Sequence, residues 1–345
     1  MKWLPKIRFS MRTLFILVTV LCVLLVPLSV KLYKARQQRL AVEWVLANGG
    51  SVNYDYQRPD NPKFASGGPT DNLWLRSILG NDFFDSVVFV YIENTRIADI
   101  SQLTHLPSLK DVSLYDPQLA DLSPLRSLKN LKSLDISFSS EKSFTAKNLD
   151  ELSKLKCSLD VTLYGQFIDD LTQIQQLKNI KTLLISDSQV TDLSPLIHFK
   201  QLDYLLLRRT SVEDISVLSQ VSMLETLILS NTPVNDLSFL KENKRLRELY
   251  ISETKITDFS PLSDLSQLEK LNLYDPNLID LTPLSKLKRL KDLTLLTPKA
   301  KDLSPLKSIT TLESISLFSK EVISEDQINS LEKALPNCTV QQYKY

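Results

Sequence analysis

The sequence is poor in glycine, cysteine and histidine, and each shortage removes a class of chemistry. Only 6 glycines occur in 345 residues. That is too few for the loops that cradle phosphates, and neither a P-loop nor a G-x-S-x-G motif is present. The 3 cysteines, Cys22, Cys157 and Cys338, have no metal-type C-x-x-C spacing. Cys22 lies in an apolar run, which leaves at most one disulfide, between two distant positions. No pair of carboxylates stands beside a candidate base. An enzyme is therefore not expected, nor a cofactor, a metal or a small-molecule substrate.

Negative charge is absent from the first 39 residues, which carry Lys2, Lys6, Arg8, Arg12, Lys31, Lys34, Arg36 and Arg39. The net charge of +1 hides this asymmetry, because residues 40–345 hold 33 basic against 40 acidic residues. A mildly acidic body lacks the clustered cations that phosphate contacts need, so a nucleic-acid partner is not expected.

What the amino-terminal region does have is an uncharged run, Leu14 to Val30. As a helix its 17 residues reach about 26 Å, marginally enough for a bilayer core of about 30 Å. Thr13, Leu32 and Tyr33 extend it, and Pro27 falls near its expected end. The alternative is a cleaved signal peptide, whose apolar core is shorter and is followed by a small-x-small site. Here the nearest such site ends at Ser29 with Pro27 in the outer position, which favours an uncleaved anchor. Four basic residues flank each side, so the positive-inside count is a tie. The short tail is expected in the cytosol and the large body exported.

From about residue 84 the chain repeats itself. An Asp, an apolar residue and Ser or Thr, often followed by Pro-Leu, recur at Asp99, Asp121, Asp192, Asp214, Asp236, Asp258, Asp280 and Asp302. The markers from 192 to 302 are 22 residues apart, and Asp170 stands 22 before Asp192. Upstream of each lies a period-two stretch such as Leu183-x-Ile185, Leu205-x-Leu207 or Leu227-x-Leu229, the pattern of a short strand with one face buried. A unit this short cannot bury its apolar side alone and must stack on its neighbours. Strands are expected at 90–92, 112–114, 134–136, 161–163, 183–185, 205–207, 227–229, 249–251, 271–273, 293–295 and 315–317. Two longer units should replace the turn with an α-helix, over Thr145–Leu155 and Ser324–Leu335, and a last short strand near Val340 closes the array. Ser or Thr before Pro suits the start of a helical turn, with the hydroxyl as cap and Pro at the first helical position. The marker Asp is read as a cap of its own turn rather than a cation ligand, since calcium-type loops carry several carboxylates and Gly. His105 and His198 each stand six residues after a marker, four repeats and about 19 Å apart, too far to share a metal.

With its L-x-x-L-x-L spacing the unit resembles the leucine-rich repeat, in the short bacterial form of the internalins, over about residues 84–345. The resemblance implies an α/β solenoid: a leucine-rich-repeat horseshoe with a concave parallel sheet of about 11 strands and short convex turns, here preceded by one transmembrane helix. The chain departs from the family where the strand bends. The usual Asn or Cys is replaced by Thr95, Gln166, Ser188, Thr210, Thr232, Thr254, Pro117, Pro276 or Pro298. A hydroxyl there is expected to bond the backbone, and Pro removes a donor. The motifs R-F-S-x-R-T-L from Arg8, a helix ending at Gly49-Gly50, and W-L-R-x-x-L-G-x-D-F-F from Trp74 resemble membrane-anchored repeat proteins of planctomycete bacteria. That likeness brings no activity with it.

The expected organisation is a basic tail (1–13), a transmembrane helix (14–33), a juxtamembrane helix, linker and amino-terminal cap (34–83), and the repeat domain (84–345). Within 34–83 a helix is read over Lys31–Asn48, a strand over Ser51–Tyr56, an irregular loop over 58–71 and a helix over Asn72–Leu79. A cap is needed because an uncovered first strand invites further pairing.

The open face supplies the candidate site. Side chains between the buried leucines must point outward, and on four adjacent strands one position reads Leu184, Leu206, Ile228 and Tyr250. Tyr164, Arg208, Tyr274 and Leu296 stand at the next such position on this or neighbouring strands. A contiguous apolar row with an aromatic fringe points to an interface. The expected function is a binding module on the bacterial inner membrane that takes a protein partner of unknown identity on its concave face. The alternative is a self-associating structural component of the cell envelope without a distinct ligand.

Overall fold

The computed structural model describes residues 10–57, 73–93, 97–115, 119, 121–141, 144–275, 277–296, 302–319 and 323–344. The loop expected over 58–71 lies outside them, as do Asn72, the bend residues Thr95, Pro117, Pro276 and Pro298, and Lys2, Lys6 and Arg8 of the basic tail.

Helix α1 (Met11–Ala47) starts behind Ser10, whose hydroxyl accepts the Thr13 N–H at 3.1 Å. The helix continues through the expected boundary at 33 without a break. Pro27 therefore sits in its interior and not near its end. The reason lies downstream, where Lys-Ala-Arg-Gln-Gln-Arg-Leu-Ala is rich in good helix formers and Ala35, Gln38, Ala41, Val42 and Val45 are buried. Residues 14–30 are exposed throughout, and an 18-residue window of α1 reaches a mean hydropathy of 2.8 with none of it buried. This helix is a candidate membrane span or signal sequence.

After Gly49-Gly50 the chain forms β1 (Ser51–Tyr54), then a 3₁₀ turn, Asp55–Gln57, where the sequence had suggested more strand. The short helix α2 (Leu73–Leu79) follows. The repeats supply β2 (Val87–Glu93), β3 (Asp111–Tyr115), β4 (Ser133–Phe138), helix α3 (Ala146–Ser153), β5 (Ser158–Tyr164) and β6 (Ile180–Ser186). They continue with β7 (Tyr204–Arg208), β8 (Thr226–Ser230), β9 (Glu248–Ser252) and β10 (Lys270–Tyr274). The array ends with β11 (Asp292–Leu296), β12 (Ser314–Ser319), helix α4 (Glu325–Ala334) and β13 (Thr339–Lys344). Each of the eleven expected strands is present, and both long units turn through an α-helix capped by Thr145 or Ser324. The sheet has 13 strands in sequence order because β1 and β13 join it. β1 runs antiparallel to β2, while all later neighbours are parallel.

One continuous apolar core runs behind the sheet, from Ala41, Val42 and Val45 of α1 to Leu331 and Leu335 at the far end. The helix and β1 thus cover the first repeat strand, as a solenoid end requires.

The other repeats, those without an α-helix, return through a 3₁₀ turn, such as Ser194–His198 or Ser260–Asp264. The marker Asp caps it. Its carboxylate accepts the backbone N–H two residues on at 2.7–2.9 Å, at Asp99, Asp121, Asp170, Asp192, Asp214, Asp236, Asp258, Asp280 and Asp302. The Ser hydroxyl does not cap the backbone; in Ser101, Ser194, Ser238 and Ser304 it donates to the second oxygen of the same carboxylate. Where Pro is present it is the second residue of the turn. The carboxylate reaches the orphan N–H first, so the hydroxyl is drawn to it instead.

These bonds hold Asp121, Asp214, Asp258 and Asp302 below the usual carboxylate range, the backbone N–H contributing most. Asp170 and Asp280 are lowered too, led by the Thr hydroxyl. A depressed folded pKa stabilises the fold above the unfolded value of about 3.9, and the benefit is lost as pH falls through the folded value. Burial pushes Asp135 and Asp203 the other way, but they are fewer. Thermal stability is therefore expected to hold between neutrality and about pH 5 and to fall below about pH 4. Calorimetry across pH 3–7 checks this, and a melting temperature that rises on acidification would contradict it.

At the strand bends the expected hydroxyl-to-backbone bond forms only in part. The Ser188, Thr210 and Thr232 hydroxyls are buried without a hydrogen-bond partner among the described residues. Thr254 accepts the Ile256 N–H at 3.4 Å and donates to Asp275 at 2.9 Å, and Gln166 donates to the Asp187 carbonyl at 2.9 Å. The backbone explains the difference. Asp187, Arg209, Asn231 and Glu253 take left-handed φ values of 47–55°, so the chain turns one residue earlier than the sequence suggested. Their N–H groups bond the next strand directly, at 2.9 Å for Asp187, Arg209 and Asn231 and 3.4 Å for Glu253.

Candidate binding surface

Along each repeat strand alternate side chains enter the core and the others line the open face of the sheet. Parallel pairing aligns those outward positions into rows. Leu184 pairs with Leu206, Leu206 with Ile228, and Ile228 with Tyr250. At about 4.8 Å per strand the row is about 15 Å long. All four side chains are half-buried rather than freely exposed, because each is covered on both sides by its neighbours in the row. Tyr250 also has polar partners. Its hydroxyl meets the Glu248 carboxylate at 3.2 Å and the Lys270 ammonium stands 5.5 Å from its ring centre.

The second row brings Tyr164, Ser186, Arg208, Ser230, Ser252 and Tyr274 into register. Tyr164 is 50% exposed, Tyr274 is 36% exposed and Arg208 is exposed, so small serines separate three projecting side chains. Leu296 pairs with Phe318. The rings of Tyr274 and Phe318, two strands apart, close to 5.7 Å, so Leu296 on the strand between them is only half-exposed.

Two features were missed in the sequence. Tyr343 on β13 stacks on Phe318 at 4.7 Å with ring planes 16° apart, which lengthens the aromatic fringe by one strand. A third row, one position before the first core leucine, carries Tyr204, Thr226, Glu248 and Lys270 in register. The period-two pattern itself extends to this position and was the available signal. Towards the amino terminus the face changes character. Tyr91 and Tyr115 pack at 5.4 Å, and the Tyr115 hydroxyl bonds Asp135 at 2.5 Å. Burial raises the pKa of Asp135, and the Asp135 hydrogen bond raises that of Tyr115. The face therefore has a polar end and an apolar middle.

Among the described residues no group of three His, Cys, Asp or Glu is placed to hold a metal ion. Cys157 is buried, and burial pushes its thiol up to about 11, far from a reactive thiolate at neutral pH.

A family model described as leucine-rich repeats (two copies) matches residues 222–264 and 244–286. The chain's fold is that of a leucine-rich-repeat solenoid. Among solved structures, an internalin from Listeria monocytogenes is 25% identical, with 72% of this chain and 73% of that chain covered and a TM-score of 0.53. A leucine-rich-repeat protein from Leptospira interrogans is 22% identical, with 72% of this chain and 64% of that one covered, at a TM-score of 0.53. The second likeness bears on the fold alone. The likeness to planctomycete proteins gains no support from either. The search of curated proteins finds no match to the chain. Leucine-rich-repeat solenoids are typically non-enzymatic modules for protein–protein interaction, whose stacked repeats present one extended surface.

Proposed function

We propose that this solenoid is a single-pass, membrane-anchored binding module of a bacterial inner membrane that takes a protein partner on its concave face, with the repeat body exported. The observation that carries the reading is the in-register row Leu184, Leu206, Ile228 and Tyr250, fringed by Tyr164, Arg208, Tyr274 and Leu296. An apolar stripe on the outer side of a sheet has no role in the solenoid's own core, and large apolar stripes on monomers mark interfaces. Aromatic and Arg side chains at its margin are the types that dominate binding energy. The exposed apolar run 14–30 supports the anchor, with residues 14–33 in the membrane.

The anchor is tested by fractionation. The mature chain is expected to begin near Met1 and to remain with membranes after a carbonate wash. An amino terminus beyond Ser29, or release by carbonate, would contradict it. Protease protection in intact cells then fixes the side on which the repeats lie, full protection being the result that sinks export.

A further inference from the structure

The two rims of the solenoid carry opposite charge. The leading rim is formed by the segments that feed the strands: 106–110, 128–132, 154–157, 175–181, 199–203, 221–225, 243–247, 265–269, 287–291, 309–313 and 335–338. These hold fourteen Lys or Arg against four Asp or Glu. All the cations but Lys110 are exposed. The trailing segments, between each strand from β2 on and its return turn or helix, hold seventeen acids against seven bases in the sequence; among the described residues the count is fifteen against Arg209 and Lys255. Some leading-rim cations are paired along the stack, as Arg247 and Lys291 are with Glu269. Lys129, Lys132, Lys156, Lys178, Lys200 and Lys244 have no ion pair among the described residues. Nine of the fifteen acids are the marker Asp residues that cap the return turns, so the acidic rim follows from the fold, whereas the exposed Lys and Arg of the leading rim have no part in that capping and call for another reason.

The direction of helix α1 relative to the strands sets which rim lies on the side of its apolar run. The Gln38 side chain accepts the Val87 N–H at 3.4 Å and donates to the Asp85 carbonyl at 2.8 Å, at the leading end of β2. Seven residues on, the Val45 carbonyl accepts the Gly50 N–H at 3.0 Å. Gly50 lies so close to Tyr91 that a Cβ there would be 2.5 Å from its carbonyl oxygen. From Gln38 to Val45 the helix thus runs alongside β2 in the same direction. Its upstream part leaves past the leading rim, and Val30, the last residue of the apolar run, is about 12 Å beyond Gln38. Because the strands lie along α1, the row of their leading ends runs across it, parallel to the plane of a membrane that α1 crosses.

A second apolar group sits at the same level. Helix α2 is held there by Arg76 on Asp85 at 3.0 Å and by Arg39 on the Leu79 carbonyl at 3.0 Å. It exposes Leu73, Trp74 and Ile78 at 71%, 67% and 60%. Trp at the level of the headgroups is the usual interfacial anchor. Farther along the rim, between the segments feeding β4 and β5, a pocket of about 350 Å³ is lined by Arg126, Lys129, Lys154 and Lys156 over Leu128 and Leu155.

We infer that the leading rim is a lipid-docking surface: the solenoid lies on its basic side against anionic phospholipid headgroups, with Trp74 seated in the interface and the acidic rim turned away. The inference rests on the reading that α1 spans the membrane. Each Lys or Arg brought to an anionic surface favours contact by about fivefold, and the effect decays within a Debye length. Docking presents the open face of the sheet sideways, at a fixed height above the bilayer, to partners moving along it.

The test uses the full-length chain in nanodiscs of phosphatidylcholine, alone or mixed with phosphatidylglycerol, containing headgroup spin-labelled lipid. In a Cys22→Ser, Cys338→Ser background, where the remaining Cys157 is buried, fluorophores are placed on the leading rim by Lys244→Cys or on the trailing rim by the exposed Thr257→Cys. In anionic discs the leading-rim label is expected to be quenched several-fold more than the trailing-rim label. The difference should collapse in neutral discs, in high salt, and in a Lys129→Glu, Lys178→Glu, Lys200→Glu, Lys288→Glu variant that melts like the parent. Equal quenching of both labels in anionic discs, with the chain retained in neutral discs at high salt, overturns the docking alone. Loss of the chain from those neutral discs overturns the membrane span and the docking with it.

Discussion

Leu227→Asp is expected to collapse the repeat array. Leu227 is fully buried and lies in register between Leu205 and Leu249, which are fully buried as well. Removing the side chain alone would cost about 2–5 kcal/mol in a core this well packed. The carboxylate adds a buried charge with no cation in reach, a further cost of several kcal/mol. Domain stabilities are about 5–15 kcal/mol, so the variant should unfold or split the solenoid at the mutated repeat. Urea titration of the repeat region reads this directly as a large loss of midpoint or a second, earlier transition. A wild-type-like melt would mean that the alternation at 227–229 does not face the core.

Leu206→Ser combined with Ile228→Ser should separate binding from stability. Both side chains are half-buried on the open face and in register with each other. Their loss is expected to cost about 1 kcal/mol each, through apolar area shared along the row. If they anchor a partner, the affinity should fall by tenfold or more, since truncating a hot-spot residue costs about 2 kcal/mol. Melting and partner titration of the same preparation distinguish the outcomes. A severe loss of stability with binding intact would mean that the row serves the fold and not an interface.

Much of this was legible because stacking imposes a period. Leu183, Leu205 and Leu227 had to share one environment, and a single repeat predicted the strands, the core side and the outward rows. The apolar row came from the same alignment. What stayed hidden depended on competition between neighbouring groups. At Ser194 the choice between hydroxyl and carboxylate as cap turns on which atom reaches the N–H first, and Asp192 does. At Thr210 the bend is made by Arg209 one residue earlier, which no propensity suggests for an Arg. Half-burial of Leu206 comes from neighbours in the row, a property of the stack rather than of the repeat. Pro27 reads as lying near the end of a segment because the apolar run stops a few residues later, whereas the helix continues to Ala47 on the propensity and packing of residues 31–47. The stacking of Tyr343 on Phe318 needs the last strand to pair with its full length, which its weak pattern did not require.

The central claim is that a membrane-held solenoid takes a foreign protein on the open face of its sheet. Photo-crosslinking in native membranes addresses it most directly, with the reactive side chain placed at Leu206 on the row or at Lys241 on a return turn. The account predicts a specific adduct with a single foreign protein from position 206, in the membrane fraction, and none from 241. Adducts only with copies of the same chain, or the same adducts from both positions, would contradict it.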